Sequence, residues 1–287
     1  MSMRRSQPAG LMTLYSARDI AALIGQGGKR ELGSYATVYS ATTPLGPVAV
    51  KVLLKQRFEP AQLISVAAST AKASRAGGAH SALAGPVGLC VESPYIAVVF
   101  AQLNHPSMTE AAGSMSSLDR LCLVKCLLAA LAALHAATGA GHGALSPNNV
   151  FVKLRTEPAL TRPRVAAVAL TDFGMDILRM HLGTMTAIPS AAYTAPETLR
   201  GEASRPETDV FIFGSLLYEL STGQAAFRGE NALEVGYRLL SGWRPAVDLL
   251  PNGVRETVAR CWDTDPALRP TIAELLDLVN AGQLGSL

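Results

Sequence analysis

The sequence predicts an α+β chain in two parts, a small strand-rich N-terminal part followed by a larger helical one. Three observations predict it. Short β-type runs cluster before Asn104: Ala36-Thr37-Val38-Tyr39-Ser40, Val48-Ala49-Val50-Lys51-Val52-Leu53 and Ala97-Val98-Val99-Phe100. After Asn104 the apolar residues recur in longer stretches with helical spacing. Hydrophobic residues make up 49% of the 287 residues and charged ones 16%, enough for two cores and too apolar for a disordered chain. The expected boundaries are an N-terminal extension over residues 1–24, a strand-rich lobe over 25–103 and a helical lobe over 104–287.

Each element has its own signal. Pro44, Gly46 and Pro47 punctuate the first two strand runs. Pro60 to Arg75 is rich in Ala and poor in breakers, which predicts a helix, and Gly77-Gly78 ends it. Ser117 to Ala137 reads as a helix with Ser116 or Ser117 as its N-cap and Asp119 in its first turn. Asp209 to Thr222 repeats the pattern, with Phe211, Phe213, Leu216, Leu217 and Leu220 apolar and Gly223 where a C-cap belongs. Arg255 to Trp262 and Thr271 to Ala281 are two further helices, with Pro266 and Pro270 between them. Tyr237 and Trp243 read as core or surface packing, without a binding role.

Composition excludes several functions. The formal net charge is +3 and the Lys and Arg residues are scattered, so no nucleic-acid partner is expected. Cys90, Cys122, Cys126 and Cys261 lack metal-ligand spacing and read as buried free thiols of a reducing compartment. No apolar signal-peptide core follows Arg4 and Arg5. Leu121 to Ala137 is interrupted by Lys125 and His135, and reads as a buried helix rather than a membrane span. A cytoplasmic or otherwise intracellular protein is expected.

The chemistry lies in a series of short motifs. Leu32-Gly33-Ser34-Tyr35-Ala36-Thr37-Val38 is followed by Val48-Ala49-Val50-Lys51. Glycines let backbone N–H groups approach phosphates, and an ammonium nearby offsets phosphate charge. The loop has two possible registers. One places Glu31, Gly33 and Ala36 at the glycine positions; the other draws on Gly25, Gln26, Gly27 and Gly28. Further on come His142-Gly143-Ala144-Leu145-Ser146-Pro147-Asn148-Asn149, then Thr171-Asp172-Phe173-Gly174, then Ala195-Pro196-Glu197. Asp209 to Gly214, Cys261-Trp262 and Leu268-Arg269-Pro270 complete the order.

In this order the motifs resemble those of the eukaryotic protein-kinase superfamily over about residues 25–280. The resemblance implies a bilobal protein-kinase-like fold with a small β-rich N-lobe, a larger helical C-lobe and a cleft between them. It implies that Gly33, Val38, Ala49, Lys51, Phe100, Gln102 and Leu103 bind ATP. Phe100 would be the gatekeeper, and Ala101 to Leu103 the hinge whose backbone bonds adenine. Asn149 and Asp172 would hold Mg²⁺. His142 would prop the loop, Phe173 would pack into the core, and Gly174 would give the backbone freedom. Glu197 and Arg269 would form a buried ion pair, and Asp209 would bond the backbone of the catalytic loop.

The departures are as specific as the matches. Ala144 stands where the family has the Asp that accepts the substrate hydroxyl proton. Gly143 replaces the Arg that reads activation-segment phosphate, although Thr184, Thr186 and Ser190 are phosphorylatable. Ser146 replaces the catalytic-loop Lys. Between Pro60 and His80 there is no Asp or Glu to pair with Lys51; the family's Glu position falls near Ala71, and Glu59 lies too near Lys51 in sequence. Lys51 is left to meet Asp172 or a phosphate. The expected protein is a pseudokinase that binds ATP and Mg²⁺ and regulates a partner kinase or its substrate. The alternatives are a weakly active Ser/Thr kinase transferring the ATP γ-phosphate, and a scaffold that binds no nucleotide.

Overall fold

Alternation of side chains along a strand decides which residues of the N-terminal part can meet. The computed structural model describes residues 12–26, 29–32, 36–53, 60–76, 82–155, 164–174, 191–227, 231–285 and 287. Gly27, Gly28, Gly33, Glu59, Gly77, Gly78, His80, Thr184, Thr186 and Ser190, named above, lie outside the described residues. The chain divides into two compact units, with the first closing at Asn104 and the second starting at His105.

The first unit is built on one sheet. Its strands are β1 (Thr13–Leu14), β2 (Lys29–Leu32), β3 (Ala36–Thr43), β4 (Gly46–Leu53), β5 (Pro86–Cys90) and β6 (Ala97–Ala101). They lie in the order β1-β5-β6-β4-β3-β2. All pairs are antiparallel except β1 with β5. Strands β3 and β4 pair from Ala36 opposite Leu53 to Thr43 opposite Gly46, leaving Pro44-Leu45 as a two-residue turn. Gly46 closes that turn at φ +122°, a conformation that side chains disfavour.

Two helices complete this unit, α1 (Ala17–Gln26) and α2 (Pro60–Ala76). Helix α1 packs on β3 and β4, whereas α2 packs against β5. Ser16 caps α1: its hydroxyl accepts the Asp19 N–H, and the Asp19 carboxylate accepts the Ser16 N–H in return. Tyr15, Ile20 and Leu23 join Ala41, Val48, Val50, Cys90, Ala97 and Val99 in one buried cluster. Residues 12–24, expected as part of an extension, are therefore integrated in the core of this unit. The space they use exists because Gly88 of β5 has no side chain: a Cβ there would run into the Tyr15 ring.

The second unit is mostly helical. It contains α3 (Met108–Ala111), α4 (Ser117–Thr138), the strand pair β7 (Val150–Arg155) and β8 (Arg164–Leu170), α5 (Pro196–Leu199), α6 (Pro206–Thr222), α7 (Ala232–Leu240), α8 (Asn252–Cys261) and α9 (Ile272–Asn280). Ser116 is the N-cap of α4, forming a capping box with Asp119, and Gly139 ends the helix at φ +67°. Helix α4 is long and apolar enough to cross a membrane by length and composition. Its Leu123, Val124, Leu127, Leu128, Leu131 and Leu134 are nevertheless buried, and it packs against β8, α6 and α9 as a core helix does. Each such leucine contributes about 1.5–3 kcal/mol by leaving water.

Some boundaries and exposures differ from expectation. Helix α6 starts at Pro206 rather than Asp209, because Pro is well suited to the first helical turn. Cys122 and Cys126 are half-buried rather than buried, while Cys90 and Cys261 are buried; all four are free. Burial pushes the Cys261 thiol up to about 12, so it stays protonated at neutral pH. Tyr237 is 74% exposed, so it is not a core residue.

Candidate nucleotide and catalytic-loop site

Strand register brings Val38, Ala49, Lys51 and Phe100, four of the seven predicted nucleotide residues, onto one face. Val38 stands opposite Lys51, and Ala49 stands opposite both Ser40 and Phe100. Directly opposed residues share a face, as do residues two apart on one strand. Val38, Ala49, Lys51 and Phe100 therefore form one patch. The reverse face is the one that carries Val48, Val50 and Val99 and the α1 cluster. Phe100 is buried, and the Lys51 ammonium lies 5.2 Å from the centroid of its ring. Gln102 and Leu103 follow the end of β6, and the Gln102 N–H donates to the Pro47 carbonyl at 3.1 Å.

Strand β2 pairs with β3, with Leu32 opposite Thr37. Gly25 lies within α1, so the register that draws on it does not fall between β2 and β3. Helix α2 spans the expected positions and carries no carboxylate; Ala71 is buried in it.

The second unit holds the catalytic-loop residues. Asp209, buried at the start of α6, organises them. Its Oδ2 accepts the His142 N–H at 2.8 Å and lies 2.7 Å from His135 Nε2 on α4. One carboxylate thus ties the end of a helix to the start of the loop. The His135 contact had no signal in the sequence, because its partner is 74 residues away. His142 is fully buried; its Nδ1 accepts the Ala144 N–H at 3.3 Å, and its ring meets Phe173 edge-on at 6.2 Å between centroids.

Two further bonds link this loop to the Asp172 turn. The Gly174 N–H donates to the His142 carbonyl at 2.9 Å, and the Thr171 N–H donates to the Asn149 carbonyl at 3.0 Å. Asn149 closes its own loop, with Nδ2 donating to the Ala144 carbonyl at 2.7 Å. Ala144 is 5% exposed, so its methyl group is buried within this network. Asp172 is buried and sits at φ +62°, the one described non-glycine residue with positive φ. Phe173 is buried, and Gly174 takes φ +74°.

Below the loop, Arg269 donates twice to the Glu197 carboxylate, at 2.7 and 3.0 Å. It also donates to the carbonyls of Glu207 and Asp263. Burial alone would raise the Glu197 pKa, but the hydrogen bonds and charge of Arg269 outweigh it and the net shift is downward. Tyr193 donates its hydroxyl to Glu219 at 2.5 Å, and burial together with that carboxylate drives its phenol pKa upward.

A sheet-based N-terminal unit, a helical C-terminal unit and these motifs in this order define a protein kinase domain. The protein kinase domain family model matches residues 23–279, and the chain belongs to that family. Its curated relatives include the probable serine/threonine-protein kinase PkwA of Thermomonospora curvata, 31% identical over 262 residues, covering 88% of this chain and 33% of the relative. The serine/threonine-protein kinase PkaA of Streptomyces coelicolor is 32% identical over 193 residues, 65% of this chain and 34% of the relative. The serine/threonine-protein kinase CTR1 of Arabidopsis thaliana is 27% identical over 259 residues, 86% of this chain and 30% of the relative. The chain spans about a third of the length of these relatives.

Proposed function

We propose that this protein kinase domain is a pseudokinase: it binds ATP with Mg²⁺ and acts on a partner kinase or a kinase substrate through its conformation, without transferring phosphate. The observation that carries the reading is the buried methyl group of Ala144. It occupies the position of the family's proton-accepting carboxylate. A methyl group accepts no proton, and a positioned general base contributes typically about 10²–10⁴-fold.

The residues present fit a nucleotide and a divalent cation. The bond from Asn149 to the Ala144 carbonyl uses the NH₂ side of the amide, which is compatible with Oδ1 as a cation ligand. Asp172 is retained at positive φ, a conformation that costs energy and persists at functional sites. Oxygen donors of this kind suit Mg²⁺. When bound, Mg²⁺ neutralises phosphate charge. In the first unit, Lys51 supplies a positive charge, while Val38, Ala49 and Phe100 offer an apolar surface to a base; Gln102 and Leu103 follow as the hinge. Helix α2 carries no carboxylate where the family's helix has its Glu.

Such a domain regulates by having two conformations with different affinities for a partner, and ATP biases that equilibrium. The test is transfer of label from γ-labelled ATP, to the protein itself and to a general protein substrate. The expected result is no transfer above that of a Lys51→Ala, Asp172→Ala double variant. Slow transfer that disappears in that variant would establish a weakly active kinase instead.

A further inference from the structure

Helix α7 buries Val235, Gly236 and Leu239 against its own unit. Its outward face is not polar. Leu233 is 61% exposed, Tyr237 74% and Leu240 41%, and Trp243 just beyond the helix is 42% exposed. Residues 233, 237 and 240 fall on one helical stripe, where a solvated helix normally carries charge. One ion pair flanks the stripe: Glu234 and Arg238 are bonded one turn apart, and the Arg238 guanidinium lies 5.3 Å from the centroid of the Trp243 ring.

We propose that this stripe is a homodimer contact, in which α7 helices of two copies of this chain pack antiparallel about a two-fold axis. The stripe is self-complementary. An axis passing near Gly236 and Tyr237 sets Leu233 of one copy against Leu240 of the other and brings Glu234 near Arg238. Both contacts then occur twice, as an isologous interface requires. Tyr237 and Trp243 are the residue types that anchor interfaces, and the charges sit at the rim.

The area supports a second copy and sets the strength. Taking about 200 Å² for a fully exposed large side chain, the four residues offer roughly 440 Å² per copy. Two copies bury roughly 900 Å², and the flanking Glu234 and Arg238 carry the total past the ~1,000 Å² that a specific interface needs. The dimer is therefore small and reversible.

Sedimentation velocity of the 287-residue chain across micromolar to submillimolar concentration tests this. The expected weight-average mass rises from 30.1 kDa toward twice that value. Tyr237→Glu and Leu233→Lys, both at exposed positions, leave the thermal unfolding temperature unchanged and raise the dissociation constant at least about tenfold. Arg238→Glu alone weakens the dimer, and combining it with Glu234→Arg restores it, because the charges exchange on both copies. A wild-type chain that stays monomeric throughout would overturn the proposal, including when a different protein is what covers the stripe. So would a dimer whose dissociation constant is the same in Tyr237→Glu and Leu233→Lys.

Discussion

Asn149 donates its side-chain amide to the backbone carbonyl of Ala144 at 2.7 Å. Asn149 thus holds the backbone at Ala144, the residue on which the proposed function rests. The loop is held by its backbone bonds, since Ala144 also donates its N–H to His142 Nδ1. Ala144→Asp places a carboxylate in a loop that is already formed. We expect this variant to gain at most about 10²–10⁴-fold in transfer rate over the wild-type background. It stays below the roughly 1–100 s⁻¹ of active kinases, because α2 carries no acidic residue. A steady-state assay checks this, and a rate in the active range would show that the base was the only defect.

The Glu197–Arg269 pair contributes pH-dependent stability. Glu197 has a depressed pKa in the folded state, so the unfolded chain binds more protons between the folded and unfolded values. The stabilisation is fully present above the unfolded carboxylate pKa and is lost as pH falls through the lower folded value. Glu197→Gln leaves Arg269 buried without its ionic partner. The expected cost at neutral pH is about 3–5 kcal/mol. Urea unfolding of both proteins from neutral to acid pH should show the gap closing toward low pH.

Gly143 adopts φ +76°. A side chain in this left-handed region costs about 1–2 kcal/mol, with Asn paying less than Ala. Gly143→Ala should therefore destabilise the second unit by about that amount, and Gly143→Asn by less. Equal stability of all three forms by urea titration would contradict the backbone assignment.

Tyr15 and Gly88 report on the docking of the N-terminal residues. A Cβ at position 88 would collide with the Tyr15 ring and approach the Thr13 carbonyl at 3.1 Å. Gly88→Ala should cost about 1–3 kcal/mol. In a Tyr15→Ala background the same change should cost less, since the ring is gone. A double-mutant cycle measured by thermal unfolding would expose a missing coupling.

The parts of the molecule legible in the sequence were those fixed by local rules. The runs around Val38 and Val50 became β3 and β4 because alternation and a Pro-containing turn are local signals. Ser116 and Gly139 bound α4 because capping acts within one turn. Asp172, Phe173 and Gly174 could be found as a triplet whose spacing from Asn149 is kept. What escaped depends on distant partners. The core role of Tyr15 needs the bare backbone at Gly88, and the His135 contact needs Asp209. The exposure of Tyr237 could not be read either, since a stripe at helical spacing looks the same facing a core or facing water.

The most direct test of a nucleotide site without a proton acceptor is a calorimetric titration of ATP into the purified chain, with and without Mg²⁺. We expect saturable binding that Mg²⁺ strengthens and that both Lys51→Ala and Asp172→Ala weaken by at least about tenfold, the loss of one charge-assisted contact. No heat at saturating ATP, with or without Mg²⁺, would mean that Lys51, Asn149 and Asp172 serve the fold alone.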